Sequence, residues 1–349
     1  MSGAAGENVL AVRLDNIGDV VMLSPALRAM REAMPASRLT LLATKAGAKV
    51  APLLPWVDAV EVIRPLWQDL KPPATAAPEV EEELISRLRA YDRAYIFTSF
   101  SQSPHPPALL LEKAGVPVRV GQSKERDSVL THAIAPPPDD SHQTERSLWL
   151  LEQAGVRVAR RELELRIPDE AERTAEERLR AAGIDPEEPY IAVAPGASCP
   201  SRRYPPAGFA AALRELCRET KMQAVVLGSE SESGLAQDVL RGAERPLSGD
   251  LTKDVSVPVM AALIRRARLF LGNNSGGMHI ADALRTPMVI LYSGTELHEQ
   301  FAPRSAAARL LTRPVPCQPC HTFSCPFRSE CLDVGAGEVV RAALQVLAQ

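Results

Sequence analysis

Apolar runs of strand length alternate with amphipathic segments of helix length along the chain, and this alternation limits the fold more than any other feature. Strands that are apolar throughout must be covered on both faces, which points to mostly parallel sheets flanked by helices. The first half offers strands at 9–14, 39–43, 59–63, 94–97 and 118–120. Between them, a helix is expected over 20–34, ending at Pro35, with others over 80–90 and 143–154. The segment 71–83 reads as a surface loop, and the prolines of "APPPDD" hold the chain extended before the third helix. After Ile167 the alternation restarts: a charged helix over 169–182 stops at Gly183. Strands at 190–194, 224–227, 269–271 and 288–292 then alternate with helices at 206–220, 261–266 and 278–284.

A length of 349 residues is too great for one ordinary core. We therefore expect two α/β domains, 1–165 and 166–349, the second ending in a Cys-rich loop at 317–331 and a C-terminal helix. Two such units are expected to present the carboxyl ends of their strands to a shared cleft, where open sheets bind ligands. A net charge of −3 with 24% charged residues gives no bulk reason to expect nucleic acid as a partner. No secretory leader and no run of about 18 apolar residues is present, so the expected location is cytoplasmic.

Three stretches carry chemistry. In "VRLDNIGDVVMLSPAL" the first strand runs into Asp15, Asn16, Gly18 and Asp19. The turn has neither the G-x-G-x-x-G spacing of a dinucleotide site nor the Gly-Lys-Ser/Thr of a P-loop. The acidic residues either cap the following helix or, in the case of Asp19, serve as a general base for a bound hydroxyl. We assign Asp15 to capping and Asp19 to the chemistry, with Asn16 and Gly18 as acceptor contacts. The second stretch, "PGASCPSRRYPP", places Ser198, Arg202 and Arg203 beyond a strand end, where amides and guanidinium groups meet phosphate. In the third, "LFLGNNSGGMHIADAL", Asn274, Ser275, Gly276 and Gly277 form an anion cradle at a helix start. His279 admits two readings, a reach to phosphate or sugar and a packed core histidine.

These stretches, together with "VVLGSESESG" and "LSGDLT", resemble in order and spacing the motifs of glycosyltransferase family 9, the ADP-heptose:lipopolysaccharide heptosyltransferases. The resemblance spans nearly the whole chain. It implies a GT-B architecture, two Rossmann-like doubly wound domains with acceptor bound mainly by the first and nucleotide sugar by the second. It implies Asp19 as catalytic base, Arg202 in the place of a lysine that meets the donor phosphates, and Ser275 to Gly277 as the phosphate cradle. His279 falls on the family's histidine, and Glu230 and Glu232 fall where the ribose and base are approached. The family commonly has aspartate where this chain has Asn274, which keeps hydrogen bonding but carries no charge. The implied reaction moves a heptose or related sugar from a nucleotide diphosphate to lipopolysaccharide or another cell-envelope glycan with inversion, and requires no cofactor. A lipid-linked acceptor implies peripheral association with the inner membrane face.

"FTSFSQSPHPPALL" supplies a candidate acceptor loop through Ser101, Gln102 and His105, or else a Pro-rich surface turn. Cys317, Cys320, Cys325 and Cys331 are separated by two, four and five residues. That grouping suits a structural zinc or an iron–sulfur cluster, the alternatives being free thiols or a disulfide. Two other readings of the scaffold stay open, a nucleotide-sugar hydrolase or epimerase and a non-catalytic nucleotide-sugar-binding protein.

Overall fold

The computed structural model describes residues 6–68, 78–100, 102–124, 129–243 and 247–349. Ser101 and residues 71–77 of the expected surface loop lie outside the described residues. The chain divides into two compact units, Met1–Leu163 and Glu164–Gln349.

The first unit is a six-stranded sheet of β1 (Asn8–Arg13), β2 (Arg38–Ala43), β3 (Ala59–Val62), β4 (Arg93–Ile96), β5 (Val118–Gln122) and β6 (His132–Ile134). Its order is β3-β2-β1-β4-β5-β6 and every pairing is parallel. Strand β1 is buried from Val9 onward, which its unbroken apolar run requires of a central strand. The chain winds outward from β1 to β3, then returns to the other side of β1 to begin β4. The loops leaving β1 and β4 therefore run in opposite directions and leave a crevice at the carboxyl edge. Helices α1 (Ile17–Met22), α2 (Ser24–Ala33), α3 (Pro78–Leu88), α4 (His105–Lys113) and α5 (Gln143–Gln153) connect the strands. The single helix expected over 20–34 is two, because Pro25 has no N–H to continue the ladder across Leu23.

The second unit repeats the winding. Strands β7 (Tyr190–Ala194), β8 (Gln223–Leu227), β9 (Leu247–Leu251), β10 (Leu269–Asn273), β11 (Met288–Leu291) and β12 (Ala308–Leu311) lie in the order β12-β11-β10-β7-β8-β9. Counted from β7 this is the same sequence of moves, with the reversal between β7 and β10. The helices are α6 (Asp169–Ala181), α7 (Pro206–Thr220), α8 (Ser233–Gly242), α9 (Val257–Arg266), α10 (Gly276–Ala283), α11 (His298–Phe301) and α12 (Ala336–Leu347). A Cβ on Gly272 or Gly277 would stand 2.9 Å from the Phe270 ring, so glycine at both positions lets α10 ride directly on β10.

Sequence periodicity misses β6, β9 and β12, which are edge strands. Strands β6 and β12 are half-buried or exposed and need no apolar run, and β9 carries Gly249 and Asp250. The end of the Pro-rich stretch, read as an acceptor loop or a surface turn, opens α4, with Pro104 at the N-cap and Pro106 and Pro107 in the first turn, where proline costs no hydrogen bond. Among the described residues no helix is long and apolar enough to cross a membrane.

Candidate active site

In the first unit the reversal point is organised around a buried cation. Arg13 ends β1 with 1% of its surface exposed. Its Nε lies 3.0 Å from Asp15 Oδ2, and its Nη2 donates to Asp19 Oδ1 at 3.0 Å and to Ser99 Oγ at 2.9 Å. Gln102 Nε2 donates to Asp15 Oδ1 at 2.5 Å, while Gln102 Oε1 accepts from the Ser99 N–H at 3.0 Å. One hydrogen-bonded set thus ties the loop after β1 to the loop after β4.

The capping role expected of Asp15 falls to Asp19. Asp15, assigned to capping, is instead ion-paired with Arg13, its side chain 10% exposed. Burial pushes its pKa up to about 6; Arg13 and the Gln102 hydrogen bond oppose that shift, and the charge of Asp19 adds to it. The capping contact belongs to Asp19, whose Oδ2 accepts from the Asn16 N–H at 3.3 Å. Asp19 is partly exposed, Asn16 is exposed and Gly18 is buried. His105 sits at the first turn of α4 with Nδ1 3.0 Å from Ser103 Oγ.

Sequence reasoning missed Arg13 and Asp15 as members of this set, and Arg146, whose charge acts on Arg13 without bonding it. Arg146, on α5, is buried with its guanidinium 5.1 Å from the Phe100 ring centre, and its Nε and Nη1 have no hydrogen-bond partner. Burial lowers its pKa, and the charge of Arg13 acts in the same direction. The legible signal was an arginine inside the apolar run "LAVRL", since a buried charge needs partners.

In the second unit the loops after β7 and β10 are joined by Asn273. Its Oδ1 accepts from the Tyr204 N–H at 3.0 Å and its Nδ2 donates to the Pro195 carbonyl at 2.8 Å. Asn274 turns to β11: its Oδ1 accepts from the N–H and Oγ of Ser293, both at 3.2 Å, and its buried Nδ2 has no hydrogen-bond partner. Ser275 caps α10 in extended conformation, and Ser275, Gly276 and Gly277 remain half-exposed at the helix start. Their N–H groups and the helix dipole favour an anion there.

His279 is buried one turn further on, with 7% of its surface exposed. Asp282, on the same helix, accepts from the backbone amides of Arg304, Ser305 and Ala306 and fixes the loop after α11. Arg202 Nε donates to Thr295 Oγ1 at 3.1 Å, and its Nη2 pairs with Glu296. Arg203 is spent on the Ala197 carbonyl at 2.9 Å, and Ser198 is exposed. Glu232, rather than the exposed Glu230, leans over the loop after β7: a Cβ on Gly196 would fall 1.8 Å from its Oε1.

Behind Arg202 lies the Cys-rich loop. Cys317, Cys320, Cys325 and Cys331 line one pocket with Gly294 and Thr295, and none is in a disulfide. Burial pushes the Cys331 thiol up; a backbone hydrogen bond from Gly294 opposes this, and the other three cysteines add to it. Among the described residues no group of three or more His, Cys, Asp or Glu side chains is set in metal-ligating geometry.

Two parallel six-stranded sheets of the same Rossmann winding, one with a carboxylate turn at its reversal point and the other with a glycine-opened helix, give the α/β fold of the GT-B type, and the family match makes the chain a glycosyltransferase. The family model of glycosyltransferase family 9 (heptosyltransferase) matches residues 83–330, and the chain belongs to that family. The chain is 25% identical over 327 residues to lipopolysaccharide heptosyltransferase 2 of Escherichia coli (strain K12), covering 87% of this chain and 88% of the relative. Its fold matches a family 9 glycosyltransferase from Veillonella parvula DSM 2008 with a TM-score of 0.78 at 19% identity, over 99% of each chain. It matches the E. coli ADP-heptose lipopolysaccharide heptosyltransferase II with a TM-score of 0.75 at 20% identity, over 98% of this chain and 99% of that one.

Proposed function

We propose that this glycosyltransferase moves a heptose or related sugar from a nucleotide-diphosphate donor to lipopolysaccharide or another cell-envelope glycan, inverting the anomeric carbon. The observation that carries the reading is the accessible start of α10 directly after β10, to which Arg202 is linked through Thr295, Ser293 and Asn274, in the unit that repeats the Rossmann winding. Negative charge builds on the diphosphate as it leaves, and preorganised N–H groups with a nearby guanidinium stabilise it at that moment. The donor groups in this reading are Ser275, Gly276, Gly277 and Arg202, with Glu232 and Glu230 towards the ribose.

Asp19 takes the proton of the acceptor hydroxyl. Each carboxylate oxygen has two lone pairs, so the contacts with Arg13 and Asn16 leave room for a further hydrogen bond. The relatives named for heptose transfer to lipopolysaccharide support the donor and acceptor class. A lipid-linked acceptor brings the protein to the cytoplasmic face of the membrane without a spanning segment.

Incubation with a panel of nucleotide sugars, with and without delipidated and intact lipopolysaccharide core, tests the reading. The expected result is nucleotide release only when acceptor is present, with one sugar added to the acceptor by mass. Release without acceptor would mark a hydrolase, and binding with no release a non-catalytic module; either overturns the proposal.

A further inference from the structure

The Cys-rich loop is fastened to the donor side of the second unit by its backbone. The Ser201 N–H donates to the Phe323 carbonyl at 3.2 Å, and Ser201 Oγ donates to the Thr322 carbonyl at 2.5 Å. The N–H groups of Cys320 and His321 donate to the carbonyls of Gly294 and Thr295, both at 3.0 Å. The residues so held, Ser201 and Thr295, neighbour or bond Arg202 directly. The loop is therefore the support behind Arg202, yet it has few buried apolar groups of its own to hold it: Phe323 and Phe327, the latter at the pocket wall, are 55% and 65% exposed.

Four unpaired thiols on a loop of 15 residues all facing one pocket need another explanation than packing. We propose that Cys317, Cys320, Cys325 and Cys331 together bind one thiolate-seeking metal ion, zinc or ferrous iron, and that this ion locks the loop behind the donor site. Four sulfurs with a C-x-x-C pair are the ligand set of tetrahedral zinc and mononuclear iron sites. The thiols line the pocket short of ligand geometry, so binding the ion requires their side chains to draw together. As each sulfur–metal bond forms, the thiol gives its proton to solvent, so no oxidant or reductant is needed. The consequence for the donor site rests on the functional reading above, whereas metal binding does not.

Full-length protein purified under reducing conditions with zinc and iron present is expected to retain about one equivalent of metal after removal of loosely bound ions. Elemental analysis that finds no stoichiometric metal, or thiol counting that finds disulfides, overturns the proposal. The paired variant C317S/C320S is expected to lose the metal. Because that variant can also fail to fold, the wild type serves as the second measure. Titrating its thiols with a mercurial is expected to release one metal per four thiols, and replacement by cobalt is expected to give the visible bands of a tetrahedral thiolate site. Metal release spread over more thiols, or octahedral cobalt spectra, counts against the site. Stripping the metal is expected to weaken ADP binding by about 5-fold or more, as for coupled sites. ADP that binds neither form leaves the metal site standing and removes the donor reading; ADP that binds both forms equally removes the locking role.

Discussion

Arg13 Nη2 and Asp19 Oδ1 stand 3.0 Å apart at the end of β1, and the same guanidinium reaches Asp15 and Ser99. The acidic turn is thus aimed by a cation buried in the sheet, and the turn's two carboxylates have different surroundings as a result. Asp19 keeps a partly exposed carboxylate available to a hydroxyl, while Asp15 braces it from behind.

Replacing Asp19 with asparagine keeps the shape of the turn and removes the proposed base. We expect kcat to fall about 10²- to 10⁴-fold with the donor KM little changed, measured as acceptor-dependent nucleotide release. Full activity in D19N at saturating donor and acceptor would move the base elsewhere.

Arg13→Met removes the buried cation and leaves Asp15 without its ionic partner. Breaking a buried pair on one side costs about 3–5 kcal/mol, read from urea unfolding. Adding Asp15→Asn to the same chain is expected to recover part of that loss, and strict additivity of the two changes would deny the coupling.

The raised pKa of Asp15 sets a pH dependence. Its folded-state pKa of about 6 lies above the ordinary 3.8 of a free aspartate, so the native state binds this proton more tightly than the unfolded chain does. That contribution is present below about pH 4 and is lost as pH rises through about 6. The stability of the wild type relative to Asp15→Asn should therefore decline between about pH 4 and about pH 6 and level off above. A flat difference across that range would place Asp15 in a solvated environment.

Arg202→Ala removes the contacts to Thr295 and Glu296 along with the charge. Loss of one preorganised donor at a leaving group costs about 10²- to 10³-fold in kcat. Arg202→Lys, which restores the charge, is expected to return the larger part of the rate; equal defects in both variants would show that the fork geometry, not the charge, is what matters.

Gly196→Ala puts a methyl group where the Glu232 carboxylate now lies. The side chain can swing away, so stability should change little. If Glu232 reads the ribose, losing one charge-assisted hydrogen bond raises the donor KM about tenfold. Glu232→Gln should give a similar rise, and an unchanged KM in both variants would leave Glu232 with only its hydrogen bonds from the N–H and Oγ of Ser229.

The central strands and the three motif loops were legible because burial on both faces forces an unbroken apolar run and the loops at a reversal point carry glycine and polar residues. The edge strands β6, β9 and β12 have no such requirement. Side-chain partnerships were less legible. Asp15 and Asp19 look alike in "LDNIGD", and only the position of Arg13 and Gln102 in space separates them. Arg202 and Arg203 look like an equivalent pair, yet one reaches Thr295 and the other the Ala197 carbonyl. The burial of Arg146 was invisible, because its helix reads as amphipathic whichever way that arginine faces.

Both sheets are wound by the same sequence of moves, so each keeps its variable loops at its own carboxyl edge, outside the packing of its strands. In the proposed reading, a change at Asn274 or Glu232 alters recognition of the sugar nucleotide and leaves β1 and Arg13, in the other unit, untouched. Such a chain is open to diversification by halves: selection retunes one specificity while the other is inherited intact.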